Sequence, residues 1–315
     1  MPINTDNQLT LPDGRRLGYA SYGPEDGWPI LFFHGIPGSR HSSHSAGLVS
    51  EANGARMIAF DRPGYGLSDP RPGRQIHDWP DDVSDALDVL GVERFSLFGY
   101  SGGGPFALAT AAAMPNRVAS LANVSAMGPL RTPEAEARLT RREQFERFAA
   151  ARLKPIVGFK TWQAARAIRR DVGLFLKRRA AAAPDEDRMQ IERPAINAVM
   201  RQDLLASVRR GGGTMAHEFH LMARHWQFDL AEVHAPVQLW HGEADDVVPL
   251  WLAESVAARV PHAETRFLSG LGHLLMLSHM DDIIEQLLAT RAPLEVASDE
   301  GGTDEKEAGA TAAAG

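Results

Sequence analysis

One serine stands among four glycines in the stretch Leu97 to Leu108, LFGYSGGGPFAL. Gly99-Tyr100-Ser101-Gly102-Gly103 reads G-x-S-x-G, between an apolar strand-like run and a helix-like run. This is the pattern of a nucleophile elbow, a sharp turn that strains the serine and lifts its hydroxyl clear of the backbone. Glycine is unfavourable inside strands and helices, so its clustering needs a cause. Gly99 and Gly103 sit two residues either side of the serine, where strand and helix are expected to crowd each other. Gly102 is expected to aim its N–H at a reacting carbonyl oxygen. Pro105 fits a first helical turn, where a backbone N–H has no partner anyway. For Gly104 the only reading is crowding by a neighbouring loop.

The same glycines also match the dinucleotide fingerprint G-x-G-x-x-A, from Gly102 to Ala107. That motif needs an acid about 20 residues further on to hold a ribose hydroxyl. Between Pro115 and Pro133 there is no Asp or Glu, and the match lies well into the chain rather than at its first strand. No Gly-Lys-Ser/Thr follows, so no phosphate-binding loop is encoded either.

A serine hydroxyl needs a base, usually histidine, and a carboxylate that fixes the base's tautomer. Behind an elbow these partners follow in the order serine, acid, histidine. LWHGEADDVVP offers Asp245 and Asp246 after a strand; Asp245 is preferred and Asp246 is the alternative. ETRFLSGLGH places His273 in a glycine-flanked loop after the next strand. His279 falls too deep in the following helix, and His262 precedes the strand. A second oxyanion donor is expected after the FFHG strand, where Gly35 permits close approach and the N–H of Ile36 would lie beside that of Gly102. His34 reads as a brace for that loop. Gly35, Tyr100 and Leu274 flank these groups and are the expected substrate contacts.

Such residues must be held by alternating strands and helices. LGYASYG, PILFFHG, ARMIAFD, RFSLFGY and VASLANVSA read as strands; DDVSDALDVLG and GPFALATAAAMP read as helices. The alternation predicts an α/β fold with a mostly parallel, doubly wound sheet. It breaks between Gly128 and Glu232, where four helical stretches follow one another without a strand. Lys and Arg outnumber acids there, while the rest of the chain is acidic. The alternation resumes with PVQLWHG, PLWLAESVAARV, ETRFLSG and a last helix near MDDIIEQLLATR. The expected organisation is a core over residues 1–127, an inserted helical unit over 128–232, a second core part over 233–294 and a disordered acidic, Ala- and Gly-rich tail over 295–315.

The 315 residues, 44% hydrophobic, suffice for a sizeable core. A net charge of -7 argues against a general nucleic-acid binder, and the absence of cysteine removes disulfides and thiol chemistry. The N-terminus is polar and no apolar run nears the length of a spanning helix, so no signal peptide, no membrane association and a cytoplasmic location are expected. His217, Glu218 and His220 form H-E-x-H, one residue short of a pattern that puts two metal ligands one turn apart. They, with His41 and His44, read as surface or interface residues, and neither metal nor other cofactor is expected. Oligomeric state is not readable.

The motifs FFHGIPGS, AFDRPGYGLSD, GYSGGG, HGEADDVVP and GLGH, in that order between Leu31 and His273, resemble the α/β-hydrolase fold superfamily in its large group with a helical cap. The resemblance identifies the insert as a cap and implies carboxylic ester hydrolysis by Ser101, Asp245 and His273. Departures narrow the chemistry. Dehalogenases and epoxide hydrolases of the superfamily use an aspartate where this chain has Ser101, and no tyrosine lies in the cap. Proline iminopeptidases share HGxPG, but Ile36 and Asp61-Arg62-Pro63 break their pattern. Carbon–carbon bond hydrolases carry asparagine where Tyr100 stands, while perhydrolases have a similar glycine-rich elbow. A small to medium neutral ester or lactone is the expected substrate, with most of the cap arginines on a solvated face. The iminopeptidase-like, carbon–carbon hydrolase, perhydrolase and non-catalytic ligand-binding readings are the alternatives.

Overall fold

A computed structural model describes residues 4–291 of the chain. The expected tail over 295–315 lies outside the described residues. One eight-stranded sheet runs through the molecule. Its strands are β1 (Asn4–Thr10), β2 (Arg16–Tyr22), β3 (Trp28–Phe33), β4 (Ala55–Phe60), β5 (Phe95–Tyr100), β6 (Val118–Val124), β7 (Val237–Gly242) and β8 (Ala263–Leu268). The order is β1-β2-β4-β3-β5-β6-β7-β8. β2 pairs antiparallel with both β1 and β4, and the pairs from β4–β3 onward are parallel.

The runs β5, β6 and β7 are buried at every position, as strands covered on both faces must be. α1 (His44–Ala52) and α12 (Met280–Ala289) cover one face. α2 (Trp79–Leu90) and α3 (Gly104–Ala113) pack against the other, where Trp79, Val83 and Leu87 of α2 meet Leu31, Phe33 and Leu97. α2 stops at Gly91, whose φ of 65° is the left-handed region that glycine tolerates. β1 has no counterpart among the expected strands. It is an edge strand with only Leu9 buried, so it shows little apolar alternation.

Between β6 and β7 the described residues form helices only: α4 (Pro133–Arg138), α5 (Arg141–Arg152), α6 (Lys154–Arg170), α7 (Val172–Ala182), α8 (Asp185–Glu192), α9 (Pro194–Ser207) and α10 (Gly213–Met222). α11 (Leu250–Ala257) follows β7. Three of the four expected helical stretches therefore divide in two. Leu139, with ψ 130°, is extended and separates α4 from α5. The Asp171 side chain accepts from the Leu174 N–H and starts α7. Pro194 opens α9, and the residue before it is pushed to ψ 123°. Apolar periodicity runs on through such breaks, which is why they read as continuous. Among the described residues no helix is long and apolar enough to cross a membrane.

The strand order reverses at β3, whose neighbours are β4 on one side and β5 on the other. Loops leaving β3 and β5 diverge there and open a crevice at the carboxyl ends of the strands. Residues of the helices between β6 and β7, called the cap helices below for their position, line the far side of this crevice.

Candidate active site

Ser101 follows β5 directly and opens a short 3-10 turn, Ser101–Gly103, that runs into α3. Its φ of 52° is left-handed, a strained conformation for a residue with a side chain. The surrounding glycines have distinct causes. A Cβ on Gly99 would lie 2.8 Å from the Ala107 Cβ, so strand and helix do crowd there. At Gly103 the neighbour is instead the end of β3: a Cβ would lie 2.0 Å from the Phe33 carbonyl oxygen. Gly104 is crowded by side chains at the end of β6 and just after it, with a Cβ only 2.4 Å from the Ala126 Cβ and 2.5 Å from Asn123 Oδ1. The Ser101 carbonyl accepts from the Met127 N–H at 3.1 Å, which pins the turn from the same side.

Three loops meet around this serine. Ser101 Oγ lies 3.0 Å from His273 Nε2, and His273 Nδ1 lies 2.8 Å from Asp245 Oδ2. Asp245 is tied down by its other oxygen, which accepts the N–H groups of Val247 and Val248 at 2.9 and 2.8 Å. Burial would push this carboxyl up, but the His273 hydrogen bond and charge, with the Val248 N–H, hold it below its ordinary value. An ionised carboxylate can only accept, so the proton between them belongs to Nδ1. The lone pair of Nε2 then faces the serine hydroxyl. Asp246, the alternative, points elsewhere and pairs with Arg179 at 2.7 Å.

Ile36 and Gly102 are adjacent: a Cβ on Gly102 would lie 2.5 Å from Ile36 Cγ1. Gly35 lies against the serine, with a Cβ 3.3 Å from that of Ser101. His34 is fully buried and braces this loop. Its Nδ1 lies 2.9 Å from the Gly35 carbonyl and its Nε2 accepts the Arg62 N–H at 3.2 Å. Burial and then the Arg62 charge hold its pKa well below the ordinary histidine value, so it stays neutral. Arg62 itself donates to the carbonyls of His34 and Gly35 and forms a forked pair with Glu218 at 2.8 and 2.7 Å. Arg74 reaches the same carboxylate at 2.5 Å and Tyr65 donates to it at 3.1 Å. Burial alone would raise Glu218; the two arginines outweigh it and bring the carboxyl down to about 2.

Thus Glu218 is an interface residue inside the molecule, and the surface alternative for it is corrected. Its neighbours His217 and His220 lie against the carbonyls of Arg74 and Ala150 at 2.8 and 3.0 Å. Among the described residues no group of three or more His, Asp or Glu side chains is arranged to hold a metal ion.

Between the loops and the cap lies a cavity of about 260 Å³. Gly35, Ile36, Tyr100, Ser101, His273 and Leu274 form its floor; Phe175, Leu176, Ile191, Val199, Met200 and Leu204 are among the cap residues that roof it. Besides Tyr100, Ser101 and His273, its polar lining residues are Ser42, Ser45, Arg179 and Asp203. Arg179 is a cap arginine that borders the cavity instead of lying on a solvated face. Asp203 and Asp187 were not legible as site residues. Asp203 is buried, accepts from the Ser39 N–H and Oγ at 2.7 Å each, and is pushed up by burial to about 7. Asp187, fully buried on α8, accepts from the backbone of the His273 loop. Neither carries a local spacing signal, because each meets its partner across the chain.

The model of the alpha/beta hydrolase fold matches residues 29–279. A bifunctional esterase/perhydrolase of Acinetobacter calcoaceticus is 28% identical over 291 residues, covering 89% of this chain and 98% of that one. A non-heme chloroperoxidase of Streptomyces lividans is 37% identical over 124 residues, which is 39% of this chain and 45% of the relative. The solved structure of Est816, described as an N-acyl homoserine lactone degrading enzyme, superposes with a TM-score of 0.62 at 25% identity, covering 90% of this chain and 99% of that one. Ser101, Asp245 and His273 all lie inside the matched segment, and the chain belongs to the alpha/beta hydrolase fold family.

Proposed function

We propose that this hydrolase cleaves small to medium neutral carboxylic esters or lactones through an acyl-enzyme on Ser101. The observation that carries the reading is the ordered chain from Asp245 through His273 to Ser101, ending in a mostly apolar cavity. Ser101 Oγ attacks the ester carbonyl while His273 Nε2 takes its proton. The tetrahedral oxyanion is held by the N–H groups of Ile36 and Gly102, each such donor being worth roughly 3–4 kcal/mol in the transition state. His273 then protonates the leaving alcohol, which departs. Water attacks the acyl-serine, His273 takes its proton, and the acid is released as Ser101 recovers its hydrogen. Asp245 stays ionised throughout and steadies the imidazolium.

The cavity volume supports a small acyl group, since drug-sized ligands occupy sites of about 300–1,000 Å³. The lactone is a cyclic ester and needs no further machinery; Est816 carries that activity in its description. The esterase/perhydrolase relative favours a second outcome at the same acyl-enzyme, in which hydrogen peroxide replaces water and the product is a peracid.

A chain-length series of p-nitrophenyl esters, run beside a lactone and an aminoacyl amide, tests the reading. Activity is expected to peak on short to medium acyl chains and to vanish in Ser101→Ala, whose far-UV spectrum stays native. Turnover surviving in that variant overturns the nucleophile. Activity confined to the amide favours the peptidase alternative, and peracid formation in peroxide favours perhydrolysis. No turnover and no fluorophosphonate labelling of Ser101 favours a ligand-binding protein.

A further inference from the structure

We infer that Asp187 of the cap is a positioning residue for His273, so that the cap completes the acid–base end of the site as well as shaping its pocket. The inference rests on the reading of Ser101 and His273 just given. Asp187 lies in the first turn of α8, and its side chain is fully buried. Oδ2 accepts the His273 N–H at 2.9 Å, and Oδ1 accepts the Leu274 N–H at 2.9 Å. Two successive amides thus close on one carboxylate. A fork of this kind fixes the direction of the backbone as well as its distance, and so sets where the imidazole of His273 starts.

The residue type at the neighbouring position agrees with these bonds. A Cβ on Gly272 would lie 2.5 Å from Asp187 Oδ1 and 2.6 Å from its Cγ. The backbone of Gly272 is not left-handed, so its glycine is required by close approach of the carboxylate and not by φ. The glycine of GLGH next to the histidine therefore records the presence of Asp187. Nor does a strong ion pair account for the buried acid: the Arg179 guanidinium is 3.8 Å away and is bound to Asp246 at 2.7 Å. Burial pushes the Asp187 carboxyl up, and the two loop amides pull against it. The His273 loop is the principal partner that makes this burial tolerable.

The other loops around the site also have ties to the cap. Asp203 of α9 holds Ser39 beyond the Ile36 loop, and Arg179 of α7 holds Asp246 beside Asp245. Asp187 is the tie that reaches the general base directly. Misplacing a reacting group by about 1 Å can lower a rate about 100-fold. Loss of the fork should therefore appear in kcat and leave substrate affinity nearly alone.

The test compares Asp187→Ala and Asp187→Asn with Ile168→Ala, a control that opens a hole in the cap's apolar cluster away from the cavity. For Asp187→Ala, kcat on p-nitrophenyl butyrate should fall roughly 10- to 100-fold with KM within about threefold, and fluorophosphonate labelling of Ser101 should slow in parallel. Asp187→Asn keeps one acceptor and should fall between, and it carries the test if the alanine variant does not fold. Gly272→Ala should mimic Asp187→Ala, and adding it to that variant should change little further. An Asp187 variant that keeps kcat within twofold overturns the inference. So does an equal kcat loss in Ile168→Ala at the same fall in melting temperature. If the wild type cleaves no ester and is not labelled, it is the Ser101 reading that fails. Amide hydrogen exchange then still decides the positioning: faster exchange confined to His273 and Leu274 in Asp187→Asn supports it, and unchanged exchange overturns it.

Discussion

The sheet and the cap are held together by different forces. In the sheet, Leu31, Phe32, Leu97, Phe98 and Leu121 are fully buried and their neighbours are apolar on both faces. The cap's apolar cluster is small, centred on Ala165, Ile168, Leu176 and Ile191, while Phe145, Phe159 and Trp162 remain 60%, 58% and 49% exposed. What joins cap to sheet is to a large extent polar: Glu218 on Arg62 and Arg74, Asp203 on Ser39, and Asp187 on the His273 loop. Apolar burial is non-directional and tolerates small shifts. Buried charges are directional and tolerate few. The core should therefore set whether the chain folds, and the cap anchors should set how accurately the loops stand.

The sharpest break of that contrast is expected in the core. Gly103→Val forces side-chain atoms into the Phe33 carbonyl, which lies 2.0 Å from the position of a Cβ and belongs to the central strand. Overpacking costs about 1–3 kcal/mol where side chains can yield, and more where backbone must. Loss of folded protein, or a fall of more than about 10 °C in melting temperature, is expected by circular dichroism. An unchanged transition would mean that the turn is looser than described.

The same division explains what could be read in advance. Strands β2 to β7 and the flanking helices announce themselves as apolar runs, alternation or 3.6-residue spacing, while β8, exposed or half-buried at every position, is legible from its place in the strand–helix alternation. The order of Ser101, Asp245 and His273 was legible because glycines and strand ends mark their loops. β1 is not legible because Leu9 alone of its seven residues is buried and no apolar alternation marks it. Asp187, Asp203 and Glu218 escaped because their partners lie 86, 164 and 156 residues away, and nothing local distinguishes a buried carboxylate from a solvated one. Glu218 stands in the sequence within a near-miss for a metal motif, and its charged partners are arginines.

In the cap, Glu218→Ala should have the largest effect. It strands two guanidinium groups that are 0% and 3% exposed. Breaking a buried pair in this way costs about 3–5 kcal/mol, read as a lower denaturation midpoint. Because Arg62 also holds the His34 and Gly35 carbonyls, activity should fall beyond what the loss of folded protein explains. In the wild type, stability from Glu218 is fully present above its ordinary pKa of 4.5 and is lost as pH falls to about 2. A variant that melts like the wild type at pH 7 would show that the Glu218 cluster does not seat the cap.

Asp203 should behave in the opposite sense. Its folded pKa of about 7 lies above the ordinary 3.8, because burial favours the neutral acid. The folded chain then binds the proton more tightly than the unfolded one. The resulting stabilisation is fully present below 3.8 and is lost as pH rises to about 7, a difference on the order of a few kcal/mol. Asp203→Asn removes the titration. Its melting temperature is expected to stay near the wild type at pH 5 and to exceed it at pH 8. Parallel curves for the two proteins across that range would mean that the carboxyl is ionised in the fold.

The smallest effect belongs to Asp246, and its smallness separates it from its neighbour. Asp245 is buried between His273 and two backbone amides, and Asp245→Asn is expected to lower kcat about 10³- to 10⁴-fold, because an amide no longer selects the productive tautomer. Asp246 faces Arg179 across the cap boundary, with side chains 35% and 28% exposed. Pairs with that much solvent are worth about 0–1 kcal/mol and weaken further in salt. Asp246→Asn should therefore keep kcat within about threefold and move the melting temperature by no more than about 2–4 °C, with the difference shrinking in 0.5 M NaCl. Arg179 also borders the cavity, so KM for bulkier esters is where a residual effect would appear as the freed guanidinium changes its rotamer. Should Asp246→Asn abolish turnover while Asp245→Asn spares it, the proposed acid would sit one residue later, and the contrast between a buried carboxylate and a solvated anchor would be reversed.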